Sequence, residues 1–284
     1  MTTVPSETAP LVAVIQVAYG GRDYTLACLK SLGKSNYKNL KIILVDNDSP
    51  DDTSELVSKS FPEVEIIKIG KNLGFAGGNN VGIDRALQSG VQFILLLNND
   101  TEVDPDAIDK LVERAQKTDK LGAIGPTIYY HSAPDLIWSA GGIINFKWSF
   151  LKHRGIREKD RGQYSESVEV DYLTGCAIMF PAKIISEVGK LDESYWMYYE
   201  DADLCARLKR AGYKIVFEPD SKVWHKISSS TGGNISSRKM WFKFRSGWRF
   251  FKTYSPSGSW IITYPISQFV IYIKVLVGKS SNLA

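Results

Sequence analysis

The sequence predicts an α/β layered fold built on a mostly parallel sheet, and three observations carry that prediction. Four short runs rich in Val, Ile and Leu (residues 11–17, 41–46, 64–69 and 92–97) alternate with segments of helical character. Near-continuous apolarity at that length suits strands buried on both faces, the usual state of strands in a parallel sheet. Polar clusters of chemical interest follow these runs at their carboxyl ends, where open α/β sheets bind ligands. A chain of 284 residues is long enough to bury one large core.

In chain order, residues 1–10 are polar and read as a flexible lead-in with no basic signal-peptide start. The segments 22–33, 51–60 and 79–90 connect the four apolar runs and are expected as helices. Residues 104–118 place Ala107, Ile108, Leu111, Val112 and Ala115 at helical spacing. From 131 to 168 the pattern weakens into Gly, Trp, Lys and Arg, which reads as an inserted loop or irregular hairpin in a catalytic unit spanning 11–230. Residues 170–180 look strand-like. Residues 200–212 form an amphipathic helix with Leu204, Leu208 and Ala211 on one face, and 213–217 form a further strand. An extension, 231–284, runs from basic-aromatic to strongly apolar.

Charge is unevenly distributed. All 31 acidic residues lie within 1–220, together with 25 of the 35 basic ones, and the other ten follow, so a net −6 precedes a net +10. That asymmetry suggests an acidic body joined to a segment that meets something anionic. Cys28, Cys176 and Cys205 have no metal-ligand spacing, and the simplest expectation is reduced thiols in the cytoplasm.

The polar clusters carry the chemistry. Asp46 ends the second strand, where a carboxylate accepts from a nucleotide base or ribose; Asp48, Asp51 and Asp52 suit turn and cap roles. Asn72, Gly74, Gly77, Gly78 and Asn79 form a Gly-rich stretch that lets backbone approach a ligand closely, or simply turns the chain. Asn98, Asn99 and Asp100 end the fourth strand. One carboxylate completed by diphosphate oxygens and water is a natural Mg²⁺ or Mn²⁺ site, although a plain strand-end turn uses the same residues. Trp196, Met197, Tyr198 and Tyr199 lead into Glu200 and Asp201: rings that stack on a sugar, followed by a carboxylate placed to take a hydroxyl proton. Adjacent acids there also serve as helix caps. His225 ends the last strand. The insert carries two further aromatic residues, Trp138 and Trp148.

Taken together, the stretches LVDNDSPDD, NLGFAGGNN, LLLNNDT, GCAIM and LDESYWMYYEDADLCARLKRAG resemble family 2 glycosyltransferases of the GT-A fold, particularly the bacterial rhamnosyltransferase-like branch. The resemblance implies a Rossmann-like sheet with nucleotide contacts at Ala18, Tyr19, Asp46, Asn72, Asn79 and Asn98. It implies a metal (Mn²⁺ or Mg²⁺) at Asp100 and His225, a catalytic base at Asp201 beside Glu200, and acceptor contacts at Trp196, Tyr198, Tyr199 and Trp138. The implied activity is inverting transfer from a UDP- or dTDP-linked sugar, rhamnose or a hexose, to a glycan or lipid-linked glycan in cell-surface polysaccharide synthesis. Two departures stand out: Asn98 occupies the first acidic position of the family's D-x-D motif, and Ala18 stands where Thr or Asn is commoner.

In the extension, Arg238, Lys239, Lys243, Arg245, Arg249 and Lys252 interleave with Trp241, Phe242, Phe244, Trp248, Phe250 and Phe251. Such a pattern suits nucleic acid or a membrane interface. The apolar run 260–277 favours the membrane over nucleic acid, but Pro265, Gln268 and Lys274 interrupt it at about the minimum spanning length. The expectation is a peripheral helix through 238–277 on the inner face of the cytoplasmic membrane. The alternatives are packing on the catalytic unit or a homodimer contact. For the whole chain, two competing readings are a catalytically weak glycan- or nucleotide-binding membrane adaptor and a sugar-phosphate nucleotidyltransferase. The second lacks a phosphate-cradling loop of adequate length after the first strand.

Overall fold

The four apolar runs become the parallel half of one sheet in the computed structural model, which describes residues 9–226 and 237–280, with side chains described over 9–226 and 240–273. The lead-in up to residue 8 and the Ser/Gly-rich stretch 227–236 lie outside the described residues. In order come β1 (Val12–Ala18), α1 (Arg22–Leu32), β2 (Leu40–Asp46), α2 (Thr53–Ser60), β3 (Glu65–Lys68), α3 (Gly74–Gln88), β4 (Phe93–Leu97), β5 (Thr101–Val103) and α4 (Ala107–Lys117). The five apolar residues singled out on α4 are all buried.

Then follow β6 (Leu121–Tyr130), β7 (Ala133–Ser139), β8 (Gly142–Asn145), β9 (Phe150–His153), β10 (Glu158–Lys159), β11 (Val168–Glu169), β12 (Ala177–Pro181), α5 (Ala182–Val188) and α6 (Glu200–Arg210). The chain closes with β13 (Lys214–His225), α7 (Ser237–Tyr254) and α8 (Trp260–Ser280).

Strands β3, β2, β1 and β4 run parallel in that order, so β1 lies between β2 and β4. The chain order reverses there, leaving a crevice beyond the carboxyl ends of β1 and β4. Strand β12 adds antiparallel to β4, β6 antiparallel to β12, and β13 parallel to β6. The far end of β13 pairs His225 with Thr101 of β5, which returns it to the same edge as the β4 terminus. Apolar clusters fill both faces of the sheet.

Four expectations need correction. Helix α3 begins at Gly74, five residues before the expected start, so its glycines lie within the helix and not ahead of it. They let it sit close on the sheet: a Cβ on Gly82 would fall 2.4 Å from Ile15 Cγ2, and one on Gly78 2.8 Å from Val17 Cγ1. The 131–168 insert holds four short strands, β7 to β10, of which β8 and β9 form a hairpin as one of the two readings expected, while β7 and β10 join the main sheet. Only 177–181 of the strand-like 170–180 region and its neighbour is regular. Ala211 is an exposed C-cap, not a core position. The 121–130 strand was not apparent because Gly122, Gly125 and Pro126 break its β signature.

The basic-aromatic segment packs on this body. One face of α7 buries Ser246, Phe250 and Phe251, and Tyr264 of α8 is likewise buried beneath it. Among the described residues no helix is long and apolar enough to cross a membrane.

Candidate active site

The crevice is built from strand ends. Ala18 closes β1 fully buried, and its carbonyl accepts from Asn47 N–H at 2.8 Å. Tyr19 is half exposed at the crevice mouth. Asp46 is 8% exposed; its carboxylate accepts from Ser49 N–H at 2.8 Å and from the Ser54 hydroxyl. These bonds fix the carboxylate at the end of β2, beside the first loop. Asp51 accepts from the backbone of Arg22 and Thr53; burial raises its pKa, but these hydrogen bonds outweigh it and hold the group below its ordinary value. That is the expected capping role.

Asn47 was not singled out from sequence, yet it organises the loop before α3. Its amide donates to Asn72 Oδ1 and to the Gly74 carbonyl, each at 3.1 Å, and accepts from Leu73 N–H at 2.8 Å. Asn72 therefore reaches the crevice half-buried, its oxygen bound to Asn47 and Gly74 N–H. Asn79 is placed otherwise: it is 2% exposed within α3 and donates to Phe75 O at 2.9 Å, inside the helix and away from the open crevice.

Asn98 lies half-buried just past β4, held by its N–H on Cys176 O at 2.8 Å. Asp100, 6% exposed, meets His225, 8% exposed, with Nε2 3.1 Å from Oδ1. Lys226 N–H donates to Asp100 O at 2.8 Å, so the backbone clamps the same pair. His225 Nδ1 is buried without a hydrogen-bond partner. The Asp100 carboxylate and His225 Nε2, oxygen and imidazole donors converging at one buried point, fit a divalent cation completed by outside oxygens. Among the described residues no group of three or more His, Cys, Asp or Glu gathers to hold a metal alone. The nearby Cys28 thiol is pushed up to about 12 by burial, as is usual for a buried structural cysteine.

Trp138 sets its edge on His225 with ring centroids 4.7 Å apart, and its other neighbour is His153, also at 4.7 Å. The expected acceptor residue thus lies against the His225 side of the site. His153 was missed because nothing in its local sequence marks it. Its Nδ1 stands 3.2 Å from Ser139 Oγ and 3.3 Å from Tyr172 Oη, and burial lowers its pKa to about 4.

Asp201 opens α6. Its carboxylate accepts from Gly175 N–H at 2.9 Å and Ala202 N–H at 2.7 Å. Burial raises its pKa despite those donors. Glu200 beside it is 5% exposed with Oε2 unpartnered, and burial together with the Asp201 charge pushes it well above the carboxylate range. The loop entering α6 is strained: Trp196, Tyr198 and Tyr199 have φ of 47°, 69° and 70°. Gly74, at φ 73°, leaves room there, since a Cβ would lie 2.6 Å from the Trp196 ring.

The aromatic wall is turned differently from the expectation. Trp196 stacks on Phe242 at 4.7 Å, Tyr198 lies under the Lys243 ammonium at 5.1 Å, and Tyr199 packs on Phe250 at 5.5 Å. These rings form the seat of α7, and only Trp138 of the four expected acceptor residues faces the His225 side.

Comparison with known proteins gives a consistent picture. The model of glycosyl transferase family 2 matches residues 13–189. The chain is 29% identical over 246 residues to an N-acetylglucosaminyl-diphospho-decaprenol L-rhamnosyltransferase of Mycobacterium tuberculosis, covering 80% of each. It is 26% identical over 180 residues to the low-salt glycan biosynthesis hexosyltransferase Agl10 of Haloferax volcanii, covering 62% of this chain and 55% of that one. Its fold is similar to GalNAc-T7 solved with UDP, GalNAc and Mn²⁺ (TM-score 0.66, 16% identity, 87% of this chain and 48% of that one). It is also similar to the mannosyltransferase PcManGT of Pyrobaculum calidifontis with GDP-Man and Mn²⁺ (TM-score 0.59, 12% identity, 91% and 69%). At these identities the two structures show the shared GT-A fold.

Proposed function

The chain belongs to glycosyl transferase family 2, and from that premise we propose that it moves a sugar, with inversion, from a UDP- or dTDP-linked donor to a lipid-linked glycan. Rhamnose is the first donor sugar to test, given the rhamnosyltransferase relative named above. The observation that carries the reading is the convergence of Asp46, the Asp100–His225 pair and Asp201 around one crevice at the carboxyl ends of the strands.

In this reading Asp46 and the first loop hold the nucleoside. Asp100 and His225 would hold a divalent cation, which neutralises negative charge on a departing diphosphate when bound. Asp201, anchored by Gly175 N–H and Ala202 N–H, takes the proton of an acceptor hydroxyl as its oxygen bonds to the anomeric carbon. The bond from that carbon to the diphosphate oxygen breaks on the opposite face. Burial and the Asp201 charge push Glu200 well above the carboxylate range, while Asp201 sits in the first helical turn, where the macrodipole favours negative charge.

The test is release of nucleoside diphosphate from a panel of UDP-, dTDP- and GDP-sugars with Mn²⁺, with and without prenyl-diphosphate glycan acceptor. Asp201→Asn is expected to lower transfer by about 10²–10⁴ while nucleotide affinity is retained. Normal turnover by that variant removes Asp201 as the base, and no release from any donor sinks the reading.

A further inference from the structure

We propose that the outer face of α7 and α8 is a docking surface for an anionic lipid bilayer. The inference stands apart from the reaction above, because vesicle binding is read without turnover.

Three observations converge. The first is apolar exposure. Ile262 is 68% exposed, Phe269 65% and Trp241 61%, joined by Ile261, Ile266 and Val270. Single exposed apolar side chains are ordinary, but a continuous set of this size on one hairpin is an interaction surface.

The second is its distribution. At 100° per residue, positions 261, 262, 266 and 269–273 cover more than half the circumference of α8. The inner side is tied down by polar contacts: the Thr263 and Ser149 hydroxyls lie 2.7 Å apart, and Ser267 donates to Ser149 O at 3.0 Å. A protein partner covers one stripe of a helix, whereas apolarity around most of it suits immersion in the acyl boundary.

The third is charge. Arg245 and Lys252 are exposed and fall on the α7 stripe of Trp241, Phe244 and Trp248, at spacings of three, four and seven residues. After Asp220 the sequence holds ten Lys or Arg and no acid. Cations beside aromatic and aliphatic side chains match an anionic headgroup layer, and a second copy of the chain would set the same cations against themselves.

The experiment is flotation of the full chain with phosphatidylcholine vesicles and with mixed phosphatidylcholine–phosphatidylglycerol vesicles. Binding to the mixed vesicles is expected, weakened by salt and at least about tenfold weaker on the neutral ones. Arg245→Gln with Lys252→Gln is expected to weaken it by about fivefold per cation removed. Ile262→Ser with Phe269→Ser is expected to weaken it by about tenfold or more. Circular dichroism and Mn²⁺-dependent nucleotide binding should match wild type in both variants, since these side chains are exposed. Unchanged vesicle recovery for the apolar double variant overturns the proposal. So does a lipid-free dimer, seen by sedimentation, that the same double variant abolishes, because that assigns the face to a second copy.

Discussion

Asp201 and Glu200 are neighbours with different surroundings, and the difference is why the proposal assigns the base to Asp201. Asp201 has two backbone donors on its oxygens, while Glu200 is buried with Oε2 unpartnered. Burial raises both pKa values, and the Asp201 charge pushes Glu200 further, so Asp201 ionises first. The acid limb of the activity profile should therefore lie above the ordinary carboxylate range and stay in place in Glu200→Gln. A limb that moves in that variant, in initial rates across pH, counts against the assignment. A raised carboxyl stabilises the fold below its unfolded pKa and loses that contribution as pH rises through the folded value. Glu200→Gln cannot ionise, so its stability relative to wild type should improve toward alkaline pH, as measured by urea unfolding. Asp46, Asp100, Asp201 and His225 stood out as candidates because each terminates a strand or opens a helix in the linear pattern, and the structure gathers them at one crevice. Asn47, His153 and the inward turn of Tyr199 did not stand out, because their partners lie on other elements, from Asn72 to Tyr172 and Phe250.

Elements position these groups by close packing, and α3 shows how. Gly82 in a helix interior costs about 1 kcal/mol relative to Ala by propensity, so Gly82→Ala would stabilise an isolated helix. Here the added Cβ meets Ile15 Cγ2 at 2.4 Å and Val45 Cγ2 at 3.2 Å, both side chains of the parallel sheet. Overpacking of that kind costs typically about 1–3 kcal/mol, which outweighs the propensity gain. The variant should lower the urea midpoint and, by lifting α3 from β1, weaken nucleotide binding. Equal or greater stability contradicts this packing account. The strands β1 to β4 were readable because buried parallel strands are uniformly apolar. The insert was not, since its strands β7 to β10 are short, mostly half-buried or exposed, and carry Gly142 and several charges. Glycines that pack a helix and glycines that cradle a ligand look alike in sequence, which is why the start of α3 was misplaced.

At the scale of the molecule, the docking proposal gives α7 and α8 two faces with separate duties, and substitutions on each should separate them. The inner face braces the strained loop before Asp201. Ser246 donates to the carbonyls of Tyr195 and Met197, and Tyr264, fully buried, donates to those of Lys243 and Phe244. Its ring also lies 5.4 Å from Phe251 and 5.5 Å from Phe244. The alternation of basic and aromatic residues in sequence indicated a surface for anions; it did not indicate that Phe250 and Phe251 are core. Tyr264→Ala removes a buried aromatic and leaves a cavity, so a loss of about 3–5 kcal/mol is expected. The loop Trp196–Met197–Tyr198–Tyr199 then loses its seat, and kcat should fall with little change in donor affinity, because the residues proposed to hold the nucleotide lie at the ends of β1 and β2. Ile262→Ser, on the outer face, should shift stability by no more than about 0.5 kcal/mol and leave soluble donor turnover intact. Urea unfolding paired with nucleoside diphosphate release measures both. If the two variants behave alike in either assay, the division of α7 and α8 into a bracing face and a docking face is wrong.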